Sequence, residues 1–176
     1  VLVDTFTVSS SVASVIIGGG SNGSSSYNYS IDDTFDVYKL VITNLRPSAD
    51  DAPFMRVTKS GSADTTSNYD QAYKKLDSST SFGNRSNENQ SYWETEELGT
   101  ATQEQNNGVL YLFNFNNSSE YSFITLEEST LNTAQTLTGR QGGAVHTVAS
   151  ASDGIQFFME SGNIDVANFK LYGLVK

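Results

Sequence analysis

Apolar and polar residues alternate along much of this chain, most clearly near its end. From Gly154 to Lys176, Ile155, Phe157 and Met159 interleave with Gln156, Phe158 and Glu160. Ser161-Gly162-Asn163 follows as a polar turn, and the return places Phe169 and Leu171 on one face and Lys170 and Tyr172 on the other. A period of two in aromatic and β-branched residues predicts strands, and Gly-Asn between two such runs predicts a hairpin. A chain that ends in its most apolar strands is expected to close its core there, with order up to residue 176.

The same period recurs upstream. Val1 to Val8 sets Thr5 and Thr7 against Phe6 and Val8 and reads as an edge or pairing strand; Val12 to Ile17 is a second. Gly18 to Ser26, GGGSNGSSS, reads as a mobile loop or a flexible linker. As a linker it would let residues 1–17 pair with a neighbouring subunit, which divides the chain into 1–26 and a domain at 27–176. Phe35 to Leu45 places Tyr38, Leu40 and Ile42 on one face and Val37, Lys39, Val41 and Thr43 on the other. Pro47 ends that ladder by removing a donor. Pro53 to Lys59 returns with Met55 and Val57 inward and is expected to pair with the strand before it.

Residues 60–107 form a long, polar, acidic insert. Tyr69 to Leu76 fits a strand, with Tyr69, Gln71 and Tyr73 in register, better than a two-turn helix. Ser78 to Gln90 reads as loop and Tyr92-Trp93 as a short strand, with Glu94, Glu96, Glu97 and Glu104 an acidic patch around Gly99. Val109 to Phe115 is apolar on both faces, which predicts a central position or one beneath a subunit contact; Tyr121 to Leu126 returns from it. Residues 127–143 are polar, and Ala144 to Ala151 reads as a further strand. The pattern predicts an all-β fold, an antiparallel, jelly-roll-like β-sandwich of eight to ten short strands without a long amphipathic helix.

Composition narrows the partners. The 176 residues suit one domain with a real core, and only 17% are charged, so the abundant Ser, Thr and Asn must cover most of the solvent face. Net charge is −10, and the 10 basic residues are scattered, which argues against nucleic acid and anionic membrane as partners. No run approaches the length of a membrane-spanning helix. Cys is absent, so disulfides, thiol catalysis and Cys-based zinc sites are excluded.

Candidate chemistry is sparse. His146, the single histidine, is flanked by Val145 and Val148 and reads as a sheet or interface residue. The acid pairs Asp32-Asp33, Asp50-Asp51 and Glu127-Glu128 read first as solvated loops or strand edges, and as glycosidase carboxylates only if a cleft held two at defined separation. Asp32, Asp33 and Asp36, or Asp50 with Asp51, are candidate ligands for a structural calcium; no EF-hand spacing is present, and no other cofactor is expected. Tyr92 and Trp93 beside Glu94 and Glu96 make the best carbohydrate contact, because aromatic faces stack on sugar rings while carboxylates accept from hydroxyls. The competing reading makes Trp93 a core plug.

Two ordered sets of short motifs carry a resemblance. Tyr38-Lys39-Leu40-Val41-Ile42-Thr43-Asn44-Leu45-Arg46-Pro47 precedes Phe54-Met55-Arg56-Val57-Thr58 and Gly61. Tyr111-Leu112-Phe113-Asn114 precedes Gly154-Ile155-Gln156-Phe157, Ser161-Gly162-Asn163-Ile164 and Phe169-Lys170-Leu171-Tyr172-Gly173-Leu174. Together they resemble a module of tailed-phage virion proteins, found in marine phages and described as tail fibre, decoration or minor structural proteins. The resemblance implies a β-sandwich used for assembly or surface attachment, located in the virion, without catalytic residues. Thr58-Lys59-Ser60-Gly61-Ser62-Ala63 is poorer in glycine than the family's turn, and the acidic insert is longer. The expected function is therefore a non-enzymatic virion component making symmetric contacts with other virion proteins and with copies of itself, a homotrimer being one candidate. The alternative is a module at a fibre or tail tip that binds a host receptor or surface glycan, and a third reading is a glycan-degrading tail spike.

Overall fold

A computed structural model describes residues 1–174. Order at Val175 and Lys176, expected above, lies outside the described residues. The fold is all-β, with two antiparallel sheets of eight and five strands. The strands of the first half are β1 (Leu2–Val8), β2 (Ser14–Gly18), β3 (Val37–Pro47), β4 (Pro53–Lys59), β5 (Ser62–Ala63), β6 (Tyr69–Asp77) and β7 (Phe82–Gln90). Those of the second are β8 (Trp93–Glu94), β9 (Asn106–Phe113), β10 (Ser122–Leu131), β11 (Leu137–His146), β12 (Gly154–Met159) and β13 (Ile164–Leu174). The large sheet runs β1-β13-β3-β9-β10-β11-β6-β7; the small one runs β2-β12-β4-β5, with β8 also on β4. The only helix among the described residues is a single 3-10 turn, Gly20–Asn22, and no helix is long and apolar enough to cross a membrane.

Alternation gives each sheet one buried face. Tyr38, Leu40 and Ile42 of β3, Leu110 and Leu112 of β9, and Phe169 and Leu171 of β13 belong to the same apolar cluster as Val15, Ile17, Met55, Val57, Ile155 and Phe157 of the small sheet. The core therefore draws on the inward faces of both sheets. β9 is fourth of eight, the central place its two apolar faces predict.

Several expectations are corrected. β12 and β13 do not form a hairpin: β12 pairs with β2 and β4, β13 with β1 and β3. Ser161-Gly162-Asn163 carries the chain from one sheet to the other, so Phe157 and Phe169 meet across the core with ring centroids 4.9 Å apart. β3 and β4 are not neighbours either, for the same reason. Pairing partners are fixed by which face must be buried, and sequence adjacency cannot separate a hairpin from a crossing between sheets.

Ser78 to Gln90 is not loop throughout, because Phe82–Gln90 is an edge strand on β6. Its side chains are almost all exposed, and backbone bonds hold it without a hydrophobic face. The polar run 127–143 is mostly a hairpin of β10 and β11, so the strand placed at Ala144–Ala151 actually starts at Leu137 and ends at His146. Among the described residues thirteen short and long strands replace the eight to ten expected.

The Gly-rich stretch bends sharply and ties in. Gly18, Gly19 and Gly20 have φ of 74°, 78° and 62°, a run of left-handed residues that side chains would oppose. Gly19 N–H donates to Asp153 O (2.8 Å), and Gly20 N–H to Tyr29 O (2.9 Å). β1 and β2 both pair within the chain.

Candidate functional site

The residues singled out for carbohydrate contact separate. β8 pairs Trp93 opposite Met55 and Glu94 opposite Phe54, so strand alternation turns Trp93 inward. Trp93 is fully buried, edge-on to Tyr69 at 5.1 Å, and donates from Nε1 to Val145 O at 3.2 Å. It is a core residue and offers no face to a sugar, which corrects its place in an aromatic platform. Tyr92, Glu94 and Glu96 instead line an open groove of about 700 Å³ between the β4–β8 side of the small sheet and the β6–β7 end of the large one.

The groove is acidic and aromatic. Tyr92 stacks on Phe54 at 3.8 Å and 8°, and Phe158 stands edge-on to Phe54 at 5.6 Å. Arg56 lies 4.3 Å over the Phe158 ring and donates from Nε to Ser91 O at 2.8 Å, which holds the turn before Tyr92. Glu94 accepts from Tyr73 Oη (3.3 Å) and pairs with Arg85 Nε (3.4 Å). Glu96 pairs with Lys75. Asp50 and Asp51, also on the groove, accept backbone N–H groups of Thr100, Ala52 and Ser161. These carboxylates are thus committed to cations or turns, and only Glu97 is well exposed among the four glutamates of the expected acidic patch.

Beneath the groove lies a buried polar network absent from the sequence reading. Glu128 of β10 and Arg140 of β11 are directly opposite in register, with side chains 2% and 1% exposed and Arg140 Nη1 3.3 Å from Glu128 Oε1. Asn106 donates to Glu128 Oε2 at 2.8 Å, Glu96 N–H donates to Oε1 at 3.3 Å, and the guanidinium rests 3.5 Å over Tyr73. Burial pushes Glu128 up to about 7, opposed by the Asn106 and Glu96 N–H bonds, and burial lowers Arg140 to about 9. Glu127-Glu128 is therefore not an exposed acid pair: its members point to opposite faces of β10, and Glu128 is sealed from any substrate. The signal was the alternation Thr138, Arg140 against Glu128, Thr130, polar residues at inward positions of two facing strands.

His146 is fully buried, with Nε2 3.4 Å from Asp64 Oδ2 and its ring 4.8 Å from that of Tyr69. Burial lowers its pKa, with Asp64 opposing. Asp64 is held down to about 2 against its own burial by Lys59, at 2.6 Å, and by Thr66. His146 is a sheet residue, as its flanking valines suggest.

Asp32, Asp33 and Asp36 border a second cavity, of about 450 Å³, with Asn114, Asn116 and Asn117. Asp32 is occupied by Tyr38 and Thr34. Among the described residues no group of three or more acids or histidines is gathered as a metal site, so Asp32, Asp33 and Asp36 do not come together as one.

A third feature lies on the outer face of the large sheet. Cross-strand register links Leu174 to Val37, Val37 to Phe113, Phe113 to Phe123 and Phe123 to Val145. These five form one apolar row across β13, β3, β9, β10 and β11; Phe123 is 43% exposed. The row below reads Tyr172, Lys39, Tyr111, Thr125 and Gly143. Compared with known proteins, the chain matches no family model and no curated protein.

Proposed function

We propose that this chain is a non-enzymatic structural component of a bacteriophage virion, a decoration, cement or fibre protein that makes symmetric contacts with copies of itself and with other virion proteins. Its two sheets close in this reading as a jelly-roll-like β-sandwich. The observation that carries the reading is the apolar row from Leu174 to Val145, which the isolated chain leaves on the outer face of its large sheet. Contiguous apolar surface of that kind marks interaction sites. The phage assignment itself rests on the ordered motifs resembling virion modules.

Quantitative mass spectrometry of purified particles tests it. A fixed stoichiometry relative to the major shell or tail protein supports the reading, and absence from particles refutes it.

A second reading, a receptor- or glycan-binding module, is favoured by one observation: the groove that joins Tyr92 on Phe54 to Glu94 and Glu96. Glycan-array binding lost on Tyr92→Ala with folding intact would support it.

A further inference from the structure

We infer that the outer face of the large sheet is covered by the same face of a second copy, related by a two-fold axis running parallel to β9. This rests on the assembly reading above and names the partner and its geometry.

Rotation about such an axis keeps each row at its own height and reverses strand order. The apolar row then lies on the same row of the other copy: Phe113 meets Phe113 at the axis, Val37 meets Phe123, and Leu174 meets Val145. With strands about 4.8 Å apart, that seam is roughly 19 Å long. In the next row Tyr111 meets itself and Tyr172 falls on Gly143. Size complements there. A side chain at Gly143 would find no atom closer than Ile124 O at 3.5 Å, so the place above it is open in the single chain.

Charge complements too. Lys39 and Lys170 stand on β3 and β13, to one side of β9, while Glu127 stands on β10, to the other. The rotation carries Lys39 onto the β10 of the second copy, beside Glu127, and does the same in reverse. Lys74 lies further out on β6, which falls over β1 with its Thr5 and Thr7. The seven strands from β1 to β6 overlap under this rotation, and at seven or more residues each they present a geometric face of roughly 800 Å², about one partner's share of a standard interface. An isologous contact uses one self-complementary patch, as this face supplies.

Sedimentation equilibrium and light scattering of the purified chain test the arrangement. A dimer is expected, at least tenfold weakened by Gly143→Tyr, whose added ring collides with Tyr172 of the other copy while circular dichroism and thermal unfolding stay unchanged. Lys39→Glu and Glu127→Lys should each weaken association about tenfold, and the double variant should recover most of it, the readout that misfolding cannot imitate. A monomer at about 100 μM, a trimer, or a dimer indifferent to these substitutions would overturn the inference. Those outcomes leave particle stoichiometry untouched, so failure of the two-fold contact and failure of the virion reading are told apart.

Discussion

Glu128 and Arg140 face each other directly across β10 and β11, both buried, with Oε1 and Nη1 3.3 Å apart. The pair is an ionic element inside a sheet whose other inward residues are largely apolar. The Glu128 carboxylate oxygens accept from Asn106 and Glu96 N–H as well, so both neighbouring strands and a loop converge on one side chain.

Breaking such a pair strands one charge in the interior. Arg140→Ala and Glu128→Ala are each expected to cost about 3 to 5 kcal/mol by urea unfolding. Replacing both by apolar residues, as in Glu128→Leu with Arg140→Met, should cost far less than the sum. Equal costs for the double variant and the summed singles would mean the two groups act independently.

Phe157 and Phe169 anchor the opposite side of the core, one from each sheet. Phe157→Ala should destabilise by about 3 to 5 kcal/mol. A loss below about 1 kcal/mol would be incompatible with the inter-sheet contact.

Two buried groups give pH dependences of opposite sign. The folded pKa of His146 is lowered, so the unfolded chain binds the extra proton and stability is lost as pH falls below about 6.5. The folded pKa of Glu128 is raised to about 7, so the folded chain binds the extra proton and stability is lost as pH rises from the carboxylate's ordinary value through 7. Stability measured between pH 4.5 and 7.5 should thus change slope in opposite directions in His146→Gln and Glu128→Gln, each relative to the parent. The same slope change in both would contradict these environments.

Trp93 belongs to the core and does not line the groove. Because it is fully buried, its fluorescence should be blue-shifted and insensitive to iodide, and glycans that engage Tyr92 should leave it nearly unchanged. Strong iodide quenching would place it at the surface.

Much of the architecture was legible from alternation alone. The faces of β3, the strand character of Tyr69–Asp77 and the central place of β9 follow from which residues repeat every second position. Pairing was less legible. Ser161-Gly162-Asn163 reads the same whether it turns a hairpin or crosses between sheets, and only the burial of Phe157 against Phe169 decides. β7 was missed because an exposed edge strand needs no apolar side chains, and the β10–β11 hairpin because its inward positions hold Glu128, Thr130, Thr138 and Arg140. In the site, Tyr92, Glu94 and Glu96 fall on one groove while Trp93 does not, since two adjacent strand residues cannot share a face.

The central claim is that this chain builds part of a virion. Symmetry-resolved reconstruction of a purified particle tests it most directly. The account predicts many copies tiling the shell or tail, with the row from Leu174 to Val145 covered. Absence of the chain from the particle, or that row open to solvent in every copy, would contradict it; a few copies at a distal tip with the Tyr92 groove turned outward would favour receptor binding over tiling.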